Sequence, residues 1–218
     1  MIKAVIFDLD GVICSTDRYH YQAWKQLADE LGVFFNEEIN NRLKGVSRME
    51  SLDIILEKSN KKYSIEEKQK LATKKNDTYR NLLKNMNDHD VSSDVLKTLY
   101  FLARNGIKTA IGSSSKNTMF ILERIGLDNY FDAIADGTQI SKSKPDPEVF
   151  LLAAKKLCLE PKDCIVVEDA KTGIDAANAG GFISVGINDA ANYSETKYRI
   201  KKVSDVLNII NETSYISL

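Results

Sequence analysis

The chain has 218 residues, with 30 Lys and Arg against 31 Asp and Glu and a formal net charge of -1. That length suits one domain or a domain with a small insert, and the balanced charge gives no support for nucleic-acid or anionic-membrane binding as the main task. No apolar run approaches a membrane span, the N-terminus enters an acid-bearing strand unlike a secretory leader, and Cys14, Cys158 and Cys164 show no metal-like pairing, which fits a reducing cytosol.

The run Ala4-Val5-Ile6-Phe7 reads as a strand buried on both faces, the usual state in a parallel sheet. It ends in Asp8-Leu9-Asp10-Gly11. Two carboxylates one residue apart thus stand where open parallel sheets bind ligands, and the glycine frees the backbone to turn. Unpaired acids there are costly, so a cation or a shared proton is expected. An isolated Asp-x-Asp would read as an acidic turn; here three later segments supply matching parts.

Thr16-Asp17 starts a helix whose apolar positions Tyr21, Trp24, Leu27, Ala28 and Leu31 keep helical spacing up to Gly32. His20 and Trp24, four apart, share a face. From 34 to 86 the chain reads as all-helical, with helices near 39–43, 51–56 and 64–83. The charge runs Glu66-Glu67-Lys68 and Lys74-Lys75-Asn76 read mainly as solvated faces. Lys44-Gly45-Val46-Ser47-Arg48 differs: a glycine and a serine between cations, just before a helix, make an anion-binding nest.

After the polar connector Asp88-His89-Asp90 the pattern alternates helix and strand: helices near 95–104, 118–125, 148–157, 172–179 and 203–210, strands near 107–112, 131–135, 165–167 and 183–187, then a loose tail. The strand at 107–112 runs into Ser113-Ser114-Ser115-Lys116-Asn117, hydroxyls and a lysine at a strand-to-helix junction, which suit a phosphate. Lys144 lies in Ser143-Lys144-Pro145-Asp146-Pro147, ahead of a helix. The strand at 165–167 ends in Glu168-Asp169. Cys158 and Cys164 sit in apolar segments and read as small core residues; Cys14, near the acids, reads as packing.

In a parallel sheet these strand ends share one edge and can converge. Acids from two strands suit an oxygen-ligated Mg²⁺ rather than zinc, and hydroxyls plus a lysine suit a phosphoryl group. A carboxylate approaching a phosphate dianion at ~4 Å meets roughly 8 kcal/mol of repulsion at an effective dielectric near ~20. Uncompensated, that is on the order of six decades in rate, so a metal ion and Lys144 are needed for Asp8 to attack.

Asp8-Leu9-Asp10-Gly11-Val12, Ser113, Lys144-Pro145 and Glu168-Asp169 resemble the four ordered motifs of the haloacid dehalogenase superfamily of phosphotransferases, over nearly the whole chain. The resemblance implies an α/β fold: a Rossmann-like parallel sheet core of strand order 5-4-1-2-3, residues 1–14 and 88–218, with an inserted α-helical cap at 15–87. Short linkers near Cys14–Thr16 and Met86–Asp88 would act as hinges for domain closure, carrying His20 and Arg48 toward Asp8 and Asp10.

Within the superfamily the chain resembles the β-phosphoglucomutases through Thr16, His20, Trp24, Lys44-Gly45-Val46-Ser47-Arg48, Ser51, Lys75-Asn76-Asp77 and Ser115-Lys116-Asn117. That likeness implies interconversion of β-D-glucose 1-phosphate and glucose 6-phosphate through β-glucose 1,6-bisphosphate. It implies Asp8 as the nucleophile that becomes an aspartyl phosphate and Asp10 as general acid/base. Mg²⁺ would be held by Asp8, the Asp10 carbonyl, Glu168 and Asp169. Ser113, Ser114 and Lys144 would hold the transferring phosphate, and Arg48, Ser115, Lys116 and Asn117 the distal one. Ser15, Ser114 and Ala170 depart from the pattern, where relatives carry an acid, an alanine and a serine. A phosphatase with the same core is the rival reading; a monomer would suffice for either.

Overall fold

A computed structural model describes residues 1–43 and 46–215. The chain divides into two compact units, Met1–Ser15 with Asn87–Leu218, and Thr16–Met86. These boundaries lie one residue inside the expected insert at each end.

The first unit begins with β1 (Ala4–Phe7), all four residues buried. In chain order follow α5 (Ser93–Arg104), β2 (Lys108–Gly112), α6 (Thr118–Arg124), β3 (Ala133–Ala135), α7 (Glu148–Leu157), β4 (Cys164–Glu168), α8 (Lys171–Ala179), β5 (Ile183–Gly186), β6 (Tyr198–Arg199) and α9 (Val206–Tyr215). The helices α1 to α4 belong to the second unit. The sheet is parallel throughout, in the order β3-β2-β1-β4-β5-β6. The expected order 5-4-1-2-3 is contained in it. The sequence reading lacked only the two-residue edge strand β6, too short to carry periodicity.

Alternation along the strands splits the core. Ala4, Ile6, Ala110 and Val166 turn to a cluster with Val149, Phe150, Ala153, Leu157, Ala176 and Ala177 of α7 and α8. Val5, Phe7, Ile111, Ile165 and Val167 on the opposite face are also buried. Burial on both faces is why these strands read as unbroken apolar runs. Register sets the site: Phe7 stands beside Ile111 and Val167, so β1, β2 and β4 run out at one level.

The second unit holds α1 (Asp17–Glu30), α2 (Glu37–Asn41), α3 (Arg48–Leu56) and α4 (Ile65–Leu83). Ser47 and Ser64 open α3 and α4 with capping boxes closed by Glu50 and Glu67. Trp24, Leu27, Ala28, Phe35, Leu52, Ile55 and Ala72 form its core. Among the described residues no helix is long and apolar enough to cross a membrane.

Three expectations are corrected. Cys158 is exposed rather than core, because it terminates α7 in a left-handed conformation with φ 58°. Asn211–Tyr215, read as loose tail, extend α9, and the turn at 203–205 is 3₁₀ rather than α. Cys14 and Cys164 are buried as expected.

The close fit of β2 to α7 is testable. A Cβ on Gly112 would lie 2.6 Å from the buried Phe150 ring and 3.1 Å from Ile6. Gly112→Ala should therefore destabilise the protein by about 1–3 kcal/mol through overpacking, read from the urea midpoint. An unchanged midpoint would mean that α7 is free to shift.

Candidate active site

Three strand ends and one loop build the site in the first unit. Asp8 follows β1 directly, and its N–H donates to the Val167 carbonyl at 2.9 Å, which extends the β1–β4 ladder to the acids. Glu168 ends β4 and Asp169 follows it. Oxygens of Asp8, Glu168 and Asp169 lie within 4.8 Å of one another. The buried Lys144 ammonium donates to Asp8 Oδ1 at 2.5 Å and also to Glu168 Oε1. The Ala170 N–H donates to Glu168 Oε2 at 3.0 Å, a role that needs no side chain at this departed position.

Glycines allow this crowding. Gly11 turns the chain at φ 82°, and a Cβ there would sit 2.0 Å from Asp169 Oδ2. A Cβ on Gly173 of α8 would overlap the Glu168 carboxyl at 1.9 Å. Glu148, at the start of α7, accepts from the Ser141 N–H and hydroxyl and from the Lys142 N–H at 2.8–3.0 Å, fixing the loop that carries Lys144. Neither Gly173 nor Glu148 was singled out from sequence, because both act on neighbours several residues away.

On β2's side the Ser113 N–H donates to the Ala135 carbonyl, and Ser113 Oγ accepts from the Ser115 N–H at 3.2 Å. Ser115 Oγ accepts from the Asn117 N–H at 3.1 Å. The hydroxyl run thus shapes its own loop while keeping its O–H protons to donate. Ser114 Oγ accepts a long bond of 3.4 Å from the Lys144 N–H, tying the two loops together. Lys116 is exposed and Asn117 buried.

The acids carry more negative charge than one lysine offsets. Burial pushes the Glu168 carboxyl up to about 7, against the pull of Lys144 and with the push of Asp8. Burial, then Asp8, Glu168 and Asp10, push Asp169 up to about 8. Burial opposes the Lys144 charge, yet Asp8 and Glu168 hold its pKa above the ordinary lysine value. Burial and the same aspartates raise the Cys14 thiol, which makes it an unreactive packing residue. Three clustered carboxylates with only oxygen donors fit a hard divalent cation.

The helical unit gathers a second group. Lys75, read within a solvated charge run, is 2% exposed, while its neighbour Lys74 pairs with Glu30 at the surface. Its ammonium lies 4.6 Å from the Trp24 ring centre, 4.7 Å from that of Tyr79, and 2.8 Å from His20 Nδ1. His20 and Tyr79 stack at 4.1 Å, and the Tyr79 hydroxyl donates to the buried Thr16 Oγ1 at 2.9 Å. Tyr79 was missed, though its spacing of four from Lys75 on α4 was a signal. Desolvation, Lys75 and Arg48 push His20 well below its ordinary value. Burial lowers the Arg48 pKa, which Tyr79 and Asp77 offset in part. Ser47 is engaged as the α3 cap, Val46 is exposed, and Ser51 is buried. Lys44 and Gly45 lie outside the described residues.

The family model for haloacid dehalogenase-like hydrolases matches residues 2–181. The chain belongs to this family. It is 39% identical to the β-phosphoglucomutase of Bacillus subtilis over 97% of this chain and 95% of that protein. It is 30% identical to a phosphorylated carbohydrates phosphatase of Thermotoga maritima, over 97% and 99%. The crystal structure of a β-phosphoglucomutase from Clostridium difficile superposes with a TM-score of 0.89 at 41% identity, covering all of both chains. The sequence places this haloacid dehalogenase-like chain among enzymes whose relatives act on sugar phosphates.

The raised carboxyls make metal affinity depend on pH. Glu168 and Asp169 ionise at ordinary values of 4.5 and 3.8 when unfolded, so the metal-free fold binds more protons up to about pH 8. Their contribution to stability therefore falls as pH rises through that window, and a divalent cation held by the ionised forms restores it. MgCl₂ should raise Tm more at pH ~8.5 than at pH ~6. Equal shifts at both pH values would contradict the acids as its ligands.

Proposed function

We propose that this enzyme is a mutase interconverting β-D-glucose 1-phosphate and glucose 6-phosphate through β-glucose 1,6-bisphosphate. The observation that carries the reading is a cation in each unit: Lys144 against Asp8 in one, and the half-buried Arg48 near enough to His20 to oppose its protonation in the other. Hydrolysis of a monophosphate needs one anion site. A bisphosphate needs two, and the full-length likeness to β-phosphoglucomutases points the same way.

Asp8, Glu168 and Asp169, with the Asp10 carbonyl, would hold Mg²⁺, which when bound neutralises charge on the phosphoryl oxygens. An Asp8 carboxylate oxygen attacks phosphorus and the ester bond to the sugar oxygen breaks. Asp10 delivers its proton to the departing oxygen. In the other half-reaction a sugar hydroxyl attacks the aspartyl phosphate, Asp10 takes the hydroxyl proton, and the Asp8 carboxylate is regenerated. The bisphosphate formed from glucose 1-phosphate then presents its other phosphate, and its return to Asp8 releases glucose 6-phosphate.

Lys144 screens the approach of Asp8, and Ser113 and Ser114 donate to the transferring phosphoryl group. Arg48 forks onto the distal phosphate, assisted by Ser115, Lys116 and Asn117. Thr16, His20, Trp24, Lys44, Gly45, Val46, Ser47, Ser51 and Lys75 complete the sugar-phosphate site. The runner-up is a sugar-phosphate phosphatase, favoured by the Thermotoga maritima relative, in which water discharges the phosphoenzyme.

The two readings separate in a coupled assay of β-glucose 1-phosphate with a trace of bisphosphate, scored for glucose 6-phosphate against free phosphate. Arg48→Ala should cut mutase turnover roughly ten- to a hundredfold, the loss of a charge-assisted pair, and spare hydrolysis of a simple ester. Equal losses, or free phosphate as the main product of the unaltered enzyme, would favour the phosphatase. Asp8→Asn should abolish the phosphoenzyme in either case.

A further inference from the structure

The loop after β5 does more than connect. Asn188, in the left-handed region at φ 52°, extends its side-chain amide to the Gly11 carbonyl, Nδ2 donating at 2.9 Å. Two residues on, the Ala190 N–H donates to the Asp169 carbonyl at 2.9 Å, and the Ile187 N–H donates to that of Glu168. One loop therefore grips both acid-bearing corners, although β5 and β1 are separated in the sheet by β4.

Within the turn it reaches, several backbone bonds close locally. The Gly11 N–H donates to the Cys14 carbonyl at 2.7 Å, and the Ile13 and Cys14 N–H groups donate to the Leu9 carbonyl. These bonds shape the turn, and the Asp8 N–H ties its base to β4 through the Val167 carbonyl. The Asn188 amide adds a tie from the β5 side, one residue from Asp10.

We infer that Asn188 is a positioning residue that sets the angle at which Asp10 meets the oxygen it protonates. The inference rests on the reading of Asp10 as general acid/base. Asn188 does not touch substrate; it acts through the Gly11 peptide. Its bond is exposed, so its contribution to global stability is small, whereas a misplacement of about 1 Å near a reacting centre can cost on the order of a hundredfold in rate.

Three substitutions separate the bond from the backbone. Asn188→Gly keeps the left-handed conformation at no steric cost and removes the amide. Asn188→Asp keeps shape and tolerance of that region but turns an acceptor toward the Gly11 carbonyl. Asn188→Ala loses both.

The readout is leaving-group dependence of Asp8 phosphorylation. A sugar alkoxide needs a proton to depart, while acetyl phosphate expels a stable carboxylate unaided. The Gly and Asp variants should lose about tenfold or more with glucose 1,6-bisphosphate as donor, part of the ~10²–10⁴ that general acid catalysis supplies. With acetyl phosphate they should stay within about twofold, with Tm little changed. Asp10→Ala, run in parallel, should show the same selectivity more strongly.

Equal losses on both donors, or full sugar-phosphate activity in Asn188→Gly, would overturn the inference. If Asp10→Ala discriminates between the donors and the Asn188 variants do not, the inference alone falls. If Asp10→Ala hits both donors alike, the general-acid reading falls, and the role of Asn188 with it.

Discussion

One ammonium held between two carboxylates organises the first unit. Lys144, Asp8 and Glu168 are almost fully withdrawn from water, and desolvating three charges is unfavourable unless each has close partners. The lysine supplies them for two acids, and the Ala170 N–H adds a donor for Glu168. Asp169 stands close to both, and burial first, then its acidic neighbours, raises its carboxyl against the weaker pull of Lys144. The cluster has the negative charge and the oxygen donors to hold a second positive charge.

That balance depends on registers set far from the chemistry. Asp8 and Glu168 meet because Phe7 pairs with Val167 across a ladder buried on both sides. A slip of one residue would turn each strand over and send the acids apart. Close approach then falls to small residues and to loops. Gly11 and Gly173 leave the room the carboxylates occupy. Glu148 holds the Lys144 loop from outside the site, as Asn188 holds the Asp10 turn.

The strands and their convergence were legible because buried parallel strands are continuous apolar words ending in polar ones. Asp8, Ser113 and Glu168 follow directly from that punctuation, and Lys144 from the proline-flanked entry to a helix. What escaped depends on contacts distant in sequence. Asn188 reaches Gly11 across the sheet, and Gly173 is judged only by the carboxyl beside it. The family likeness marked Lys75, but its burial was hidden in a run of like residues, since composition does not tell which of Lys74 and Lys75 faces inward. Helical phase decides it: Lys75 shares a stripe with Ala72 and Tyr79, all buried, while Lys74 falls outside it. Cys158 failed for the opposite reason, an apolar neighbourhood in sequence that ends at a helix terminus.

The helical unit handles charge by a different rule. A lysine ammonium has only donors, so the 2.8 Å contact makes His20 Nδ1 the acceptor and leaves the ring proton on Nε2. Burial first, then Lys75 and Arg48, opposes a second proton on that ring. The imidazole therefore stays neutral and keeps one fixed donor, while the aromatic faces of Trp24 and Tyr79 stabilise the lysine without neutralising it.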